Sequence, residues 1–198
     1  MLRGAQAVAL TGALLTLSPA AAAEFDAVTG FRIDRYRAPV DRPVEGGKTV
    51  SIDEVDRLLA DHGAALIDVM PARAGYDAAT GQWRLVDPHQ NIPGSVWLPE
   101  VGRGALEPRL AAYFWDALKR LRAENPQRPL VFYCMADCWM SWNAVKRAAS
   151  LGLRDLYWFP EGSDGWRDAD RALVPSDPWP VPPLPEALVG HRRDGANP

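Results

Sequence analysis

Along the middle of the chain, stretches with apolar residues at helical spacing alternate with short continuous apolar runs, and Gly or Pro marks most of the boundaries. In "TVSIDEVDRLLADHG", Ile52, Val55, Leu58 and Leu59 fall on one helical face, Ser51 and Glu54 have the S-x-x-E spacing of a capping box, and Gly63 closes the segment. "ALIDVM" (65–70) is a short apolar run between turn formers and predicts a buried strand. Residues 71–94, with Gly75, Gly81, Pro88 and Pro93, read as a long loop of the kind that is either functional or poorly ordered.

The same alternation continues. "SVWL" (95–98) predicts a second strand, and Leu106, Leu110, Tyr113, Phe114, Ala117, Leu118 and Leu121 form the apolar face of a second helix. "PLVFYC" (129–134) is a third strand, "SWNAVKRAASLG" (141–152) a helix closed by Gly152, and "DLYWF" (155–159) a fourth strand. Strands that alternate with helices predict an α/β domain over residues 49–174, with a mostly parallel sheet of about five strands and helices on both faces. An arm, 24–48, with Pro39, Pro43, Gly46 and Gly47, precedes it as irregular or short extended structure laid over the domain. A proline-rich tail, 175–198, follows and is expected to be extended or loosely attached.

Residues 1–23 have a different pattern. Arg3 precedes the uncharged run AQAVALTGALLTLS, then Pro19 and four alanines, which are the three regions of a secretory signal with cleavage after Ala23. The run is shorter than the ~20 apolar residues of a membrane-spanning helix, and no later segment approaches that length. The mature chain is therefore expected to be exported to a bacterial periplasm, without a membrane anchor once cleaved; an uncleaved amino-terminal anchor is the alternative. A periplasm is oxidising, so paired thiols there can form disulfides.

Charge and cysteine count narrow the classes further. The formal net charge is -3 and becomes -4 when Arg3 is removed, which argues against nucleic acid as a partner because phosphate binding needs clustered cations. The chain has 2 cysteines, too few for a disulfide framework, and both lie in "YCMADCWMSW". Covalent haem attachment wants C-x-x-C-H, whereas three residues separate Cys134 from Cys138 and Trp139 follows. A structural zinc site wants four ligands, and only His62, His89 and His191 could join the thiols, so no metal or cofactor is expected. A two-thiol copper(I) site, helped by Met135 and Met140, is chemically allowed as a minority reading because soft sulfur suits that ion.

Position nominates Cys134 as nucleophile. It ends a strand of a parallel sheet, where ligands bind, and a short loop then feeds a helix whose first amides favour an anion, thiolate included. The loop Met135, Ala136, Asp137, Cys138, Trp139, Met140 and Ser141 is the expected cradle for a substrate. A thiol with pKa ~8.5 is only about 3% ionised at pH 7. A helix start worth about 1 kcal/mol lowers that pKa by roughly 0.7, and Asp137 takes back a similar amount. Strong activation therefore needs a cation from outside the loop, for which Arg73 and Arg167 are the candidates.

Strand, cysteine, loop and then Ser141 to Ala144 opening a helix resembles the rhodanese-like superfamily, and "LIDV", "NIPGSVWLP" and "WFPEGSDGW" resemble its other signatures. More narrowly, "FYCMADCWMSWNA", the arm segment "FRIDRYRAPV" and the leader resemble the PQQ-dependent catabolism-associated CXXCW motif proteins. The resemblance implies sulfur transfer or thiol/disulfide chemistry at Cys134, with Cys138 as resolving thiol. It also implies service to a periplasmic quinoprotein dehydrogenase or cytochrome c, acting on a small sulfur compound or a protein thiol. A non-enzymatic binding or maturation factor for such a dehydrogenase or cytochrome is the alternative.

The loop departs from the family in lacking an Arg before the Ser. It has the length of the superfamily's phosphatase loops, but Met140 stands where their phosphate-gripping Arg belongs, which argues against phosphatase activity. The Cys134–Cys138 pair also admits a small structural disulfide, worth roughly 2 kcal/mol on chain entropy, or two idle thiols. Asp68 at its strand end and His89 before "NIPGS" are possible supporting groups, the first orienting the site and the second a general base. Trp139, Trp142, Trp158 and Trp166 read chiefly as core, with an aromatic docking wall as the minority reading.

Overall fold

The computed structural model describes residues 23–72, 75–77 and 80–182; Arg73, residues 183–198 and all of the leader except Ala23 lie outside the described residues. Five strands, β1 (Lys48–Thr49), β2 (Ala65–Asp68), β4 (Val96–Trp97), β5 (Leu130–Tyr133) and β6 (Leu156–Phe159), form one sheet in the order β1-β6-β5-β2-β4, with every pairing parallel. β3 (His89–Asn91) and β7 (Val174–Ser176) make a separate antiparallel pair. The helices are α1 (Ile52–His62), α2 (Pro108–Leu121), α3 (Trp139–Ser150) and α4 (Gly162–Asp168).

The central strands have no polar alternation because both faces of the sheet are covered. On β5, Leu130 and Phe132 join the cluster that includes Tyr113, Phe114 and Leu118 of α2 and Trp142 of α3, while Val131 and Tyr133 join Val55 and Leu58 of α1 and Trp166 of α4 on the other face. Each large side chain removed from water in this way contributes about 1.5–3 kcal/mol. The α1 start follows its sequence signal: Glu54 accepts the Ser51 N–H at 2.8 Å, and Gly63 ends the helix in the left-handed region at φ 57. Trp139, Trp142, Trp158 and Trp166 are all buried, which places the tryptophans in the core and removes the exposed aromatic wall.

Three expectations need correction. The helix after the cysteine loop starts at Trp139, two residues before Ser141, because Cys138 takes the extended N-cap conformation (φ -126, ψ 114) and the arm supplies an acceptor for the Trp139 N–H. The 71–94 stretch is not a plain loop, since His89–Asn91 pairs with Val174–Ser176. The described part of the tail, through Pro182, is not loose either. Trp179 donates its N–H to the Trp97 carbonyl at 2.8 Å, and its own carbonyl accepts from the Tyr113 hydroxyl and the Trp83 indole N–H.

Candidate functional site

Cys134 follows the last residue of β5, and Cys138 is the N-cap of α3. The intervening turn is tight enough to bring the sulfurs to 2.9 Å, with the Cys134 thiol donating to Cys138 Sγ, and no disulfide joins them. Asp137 makes that turn possible by adopting φ 52, a left-handed conformation that Asp tolerates better than most side chains. Met70, two residues past β2, brings its thioether sulfur to 3.2 Å from Cys134 Sγ. Both cysteines are buried, Cys134 completely and Cys138 to 4% exposure.

The two thiols are not equivalent. Burial pushes the Cys134 thiol well above its ordinary pKa, reinforced by its hydrogen bond to Cys138, by that sulfur's charge and by Asp68. Cys138 is shifted the other way, chiefly by the hydrogen bond it accepts from Cys134, with further help from the Met140 N–H on its side and the positive charge of Arg37. The Met140 N–H aids the thiolate electrostatically without closing a side-chain capping bond to it. Position at the strand end nominates Cys134 as the nucleophile; in the folded protein Cys138 is the more acidic of the two, because Cys134 is the more desolvated and serves as donor.

The loop amides divide: the Met135 N–H bears on Cys134 and the Met140 N–H on Cys138, while others are spent elsewhere. The Ala136 N–H donates to the Asp164 carboxylate at 3.2 Å and the Trp139 N–H to the Tyr36 carbonyl at 2.8 Å. The Asp137 carbonyl meanwhile accepts from the Ala38 N–H at 3.0 Å, so residues 36–38 of the arm lie against the loop as a short antiparallel bridge centred on Arg37 and Cys138. Ser141 Oγ donates to the Cys138 carbonyl and accepts the Trp158 indole N–H at 3.0 Å, which makes it an internal fastener of the helix start. Met140 is buried in the core cluster, and Trp139 sits edge-on to Phe25 of the arm at 5.2 Å.

The supporting residues divide. Asp68 and His89 meet, with Nε2 and Oδ2 2.7 Å apart, and the imidazole is stacked on Trp97 at 3.8 Å. Asp68 is completely buried and also accepts the Met70 N–H at 2.8 Å; burial raises its pKa, partly offset by the His89 hydrogen bond and charge. Arg167 does not reach the sulfurs in the role foreseen for it but pairs with Asp164, and Arg73 lies outside the described residues. The cation that bears on the thiol pair is Arg37, which sequence reasoning missed although "RYRAPV" stands in the arm; no local pattern says that the arm crosses a loop a hundred residues away. Met70 was missed for the same reason.

A shallow cleft beside the site is lined by Met70, His89, Met135, Ser163 and Arg167, and Met70 stands between it and Cys134. The "NIPGS" segment is tied to the cysteine strand by Tyr133, whose hydroxyl accepts the Ile92 N–H at 3.0 Å and donates to Ser95 Oγ at 2.8 Å. Among the described residues, no group of three or more His, Cys, Asp and Glu could hold a metal ion.

Comparison with known proteins bears on the fold and the family. Over 66% of this chain and 32% of that one, the structure is similar to wild-type EanB at 19% identity and a TM-score of 0.42. A thiosulfate sulfurtransferase from Pseudomonas aeruginosa aligns over 71% of this chain and 22% of its own at 16% identity and a TM-score of 0.43. The BH2092 protein from Bacillus halodurans aligns over 65% and 77% respectively, at 21% identity and a TM-score of 0.43. The matched region thus spans about a third or less of the first two proteins. No curated protein matches the chain. The rhodanese-like domain model matches residues 51–169, which takes in four of the five strands of the main sheet, all four described helices and both cysteines, and the chain belongs to that family.

Proposed function

We propose that the chain is an exported rhodanese-like thiol protein in which Cys134 and Cys138 work as a pair in sulfur transfer or thiol/disulfide exchange. The observation that carries this reading is the unequal dithiol: Cys138 Sγ at a helix N-cap accepts a hydrogen bond from Cys134 Sγ at 2.9 Å and faces the charge of Arg37. A pair built only as a staple has no need of a cation at one sulfur.

In the exchange step the Cys138 thiolate attacks a sulfur of the substrate, either a disulfide R–S–S–R′ or a sulfane donor, and the far half leaves with the electron pair of the broken S–S bond. The product is a mixed disulfide, or a persulfide for a sulfane donor. A persulfide passes its outer sulfur to an acceptor such as cyanide, which returns the Cys138 thiolate; a mixed disulfide is resolved when Cys134 loses its proton and attacks Cys138 Sγ, forming the intramolecular disulfide and releasing R–S⁻, and an external thiol reductant restores the dithiol. In that second course the two thiols supply the two electrons that reduce the substrate. Access to Cys138 requires residues 36–38 to lift, since they cover it.

The leader-like residues 1–23 and the resemblance to the CXXCW group support a periplasmic setting, as an accessory to a PQQ-dependent alcohol dehydrogenase system. A second reading, a binding or maturation factor for a quinoprotein dehydrogenase or cytochrome c, is favoured by the burial of both sulfurs. Two measurements separate them. The thiol reading expects thiosulfate-to-cyanide or disulfide-exchange turnover that disappears in Cys138→Ser, and a reduction potential above about -300 mV. A pair far below that potential, in a protein with no turnover and with full biological function after Cys138→Ser, would establish the binding reading instead.

A further inference from the structure

The sulfurs at the site number three. Cys134 Sγ comes from the end of β5, Cys138 Sγ from the start of α3 and Met70 Sδ from the segment after β2, and Cys134 touches both of the others, at 2.9 and 3.2 Å. Three separate elements converge to bring a second thiol and a thioether against Cys134 Sγ. We infer that Cys134, Cys138 and Met70 form a three-sulfur binding site for Cu(I).

The chemistry of the donors selects the ion. Thiolate and thioether ligands are soft and prefer Cu(I), whereas structural zinc wants four ligands. Among the described residues no group of three or more His, Cys, Asp and Glu could hold a metal ion, so the thiols lack the partners that a four-ligand zinc site needs. Met135 and Met140, the methionines nearest in sequence, bear on the cysteine sulfurs through their backbone N–H groups, whereas Met70, distant in sequence, brings its thioether sulfur to Cys134.

Charge and geometry agree with a monovalent ion. Cu(I) takes the place of the proton that the Cys134 thiol donates to Cys138 Sγ, and that proton leaves to solvent. The net charge inside the buried site is unchanged, so loading adds little desolvation cost. No electron moves, because copper enters and remains as Cu(I). A metal–sulfur bond of about 2.3 Å puts three trigonal sulfurs about 4 Å apart. The present separations must therefore open by about 1 Å, which the unbranched, freely rotating Met70 side chain accommodates most easily. Met70 lines the cleft beside His89 as well as touching Cys134, so it offers a route by which an ion passes from the surface to the thiols.

This inference requires reduced thiols but not sulfur transfer. Its test is anaerobic titration of the full reduced chain with Cu(I) in competition with bicinchoninate, together with X-ray absorption on the loaded wild-type protein. The expected result is one equivalent of copper bound by three sulfurs at about 2.3 Å. Met70→Leu should weaken binding by at least roughly tenfold. Complete loss of copper to the competitor, a two-sulfur absorption spectrum, or equal affinity in a folded Met70→Leu protein would each overturn the site. The spectrum decides the matter even if Met70→Leu fails to fold. Turnover by the copper-free protein is a separate readout, so failure of the copper site leaves the thiol reading standing, and the reverse.

Discussion

Asn143, completely buried on α3, holds both polar groups of the Arg32 backbone: its Oδ1 accepts the Arg32 N–H at 3.0 Å and its Nδ2 donates to the Arg32 carbonyl at 2.8 Å. The same Nδ2 donates to the Gly102 carbonyl at 2.9 Å. One side chain in the helix that follows the cysteine loop thus anchors the arm. Arg32 then places its guanidinium about 5 Å from both Phe25 and Trp139 and pairs with Glu24. The arm's cover over Cys138 is an extension of that anchor.

Asn143→Ala should therefore affect stability and thiol access together. Three buried hydrogen bonds are lost and their backbone partners are left unsatisfied, which costs about 2–4 kcal/mol and lowers Tm by roughly 5–15 °C. The rate of Cys138 alkylation under native conditions should rise at the same time. A variant that loses stability with no gain in alkylation rate would separate the arm from control of the thiol.

The thiol pair predicts an asymmetry between two single variants. In Cys134→Ala the main hydrogen bond that favours the Cys138 thiolate is removed, so the pH profile of iodoacetamide alkylation should move up toward the ordinary thiol value of about 8.5. In Cys138→Ala the remaining sulfur is wholly buried and holds its proton, so alkylation at pH 7 should be at least about tenfold slower than in the wild type. Equal profiles for the two variants would contradict the unequal pair.

Asp68 makes a prediction about stability and pH. Burial raises its folded pKa, so between the ordinary carboxyl value of about 3.9 and the raised one the folded state keeps a proton that the unfolded chain has released. Stability from this group is full below that window and declines as pH rises through it. Asp68→Asn keeps an oxygen for the Met70 N–H and supplies an N–H for His89 Nε2, while removing the titration. The variant should accordingly gain on the wild type as pH rises from about 4 towards neutrality, seen as a difference in Tm that widens with pH. A wild-type protein that gains on the variant over that range would show instead that an ionised Asp68 stabilises the fold.

Gly162 is the glycine on which the site most depends. It has φ +54, and a Cβ there would lie 2.3 Å from the Cys134 carbonyl oxygen, which itself accepts the Ser163 N–H at 2.9 Å. Gly162→Ala should cost about 2–4 kcal/mol, through the left-handed backbone and the displacement of the Cys134 peptide. Denaturant unfolding followed by thiol titration would register both effects. A variant of native stability would rule out the close approach.

What the chain determined by itself was everything local. Its apolar periodicities placed β2, β4, β5, β6 and three of the four helices, the Ser51 and Glu54 spacing marked a helix start, and continuous apolar runs required a sheet covered on both faces. The order of the cysteines relative to strand and helix was also readable, because it depends on neighbours along the chain. Tertiary structure decided which sulfur is the more acidic, since the desolvation of Cys134 and the charge of Arg37 come from segments that meet only after folding. The two-residue β1 and the β3–β7 pair are too short to carry a periodic signal and exist because a partner strand is there to accept them. Arm and tail carry little apolar patterning of their own; Asn143 and Trp179 fix them through hydrogen bonds to distant backbone groups, and sequence spacing has no means of encoding such contacts.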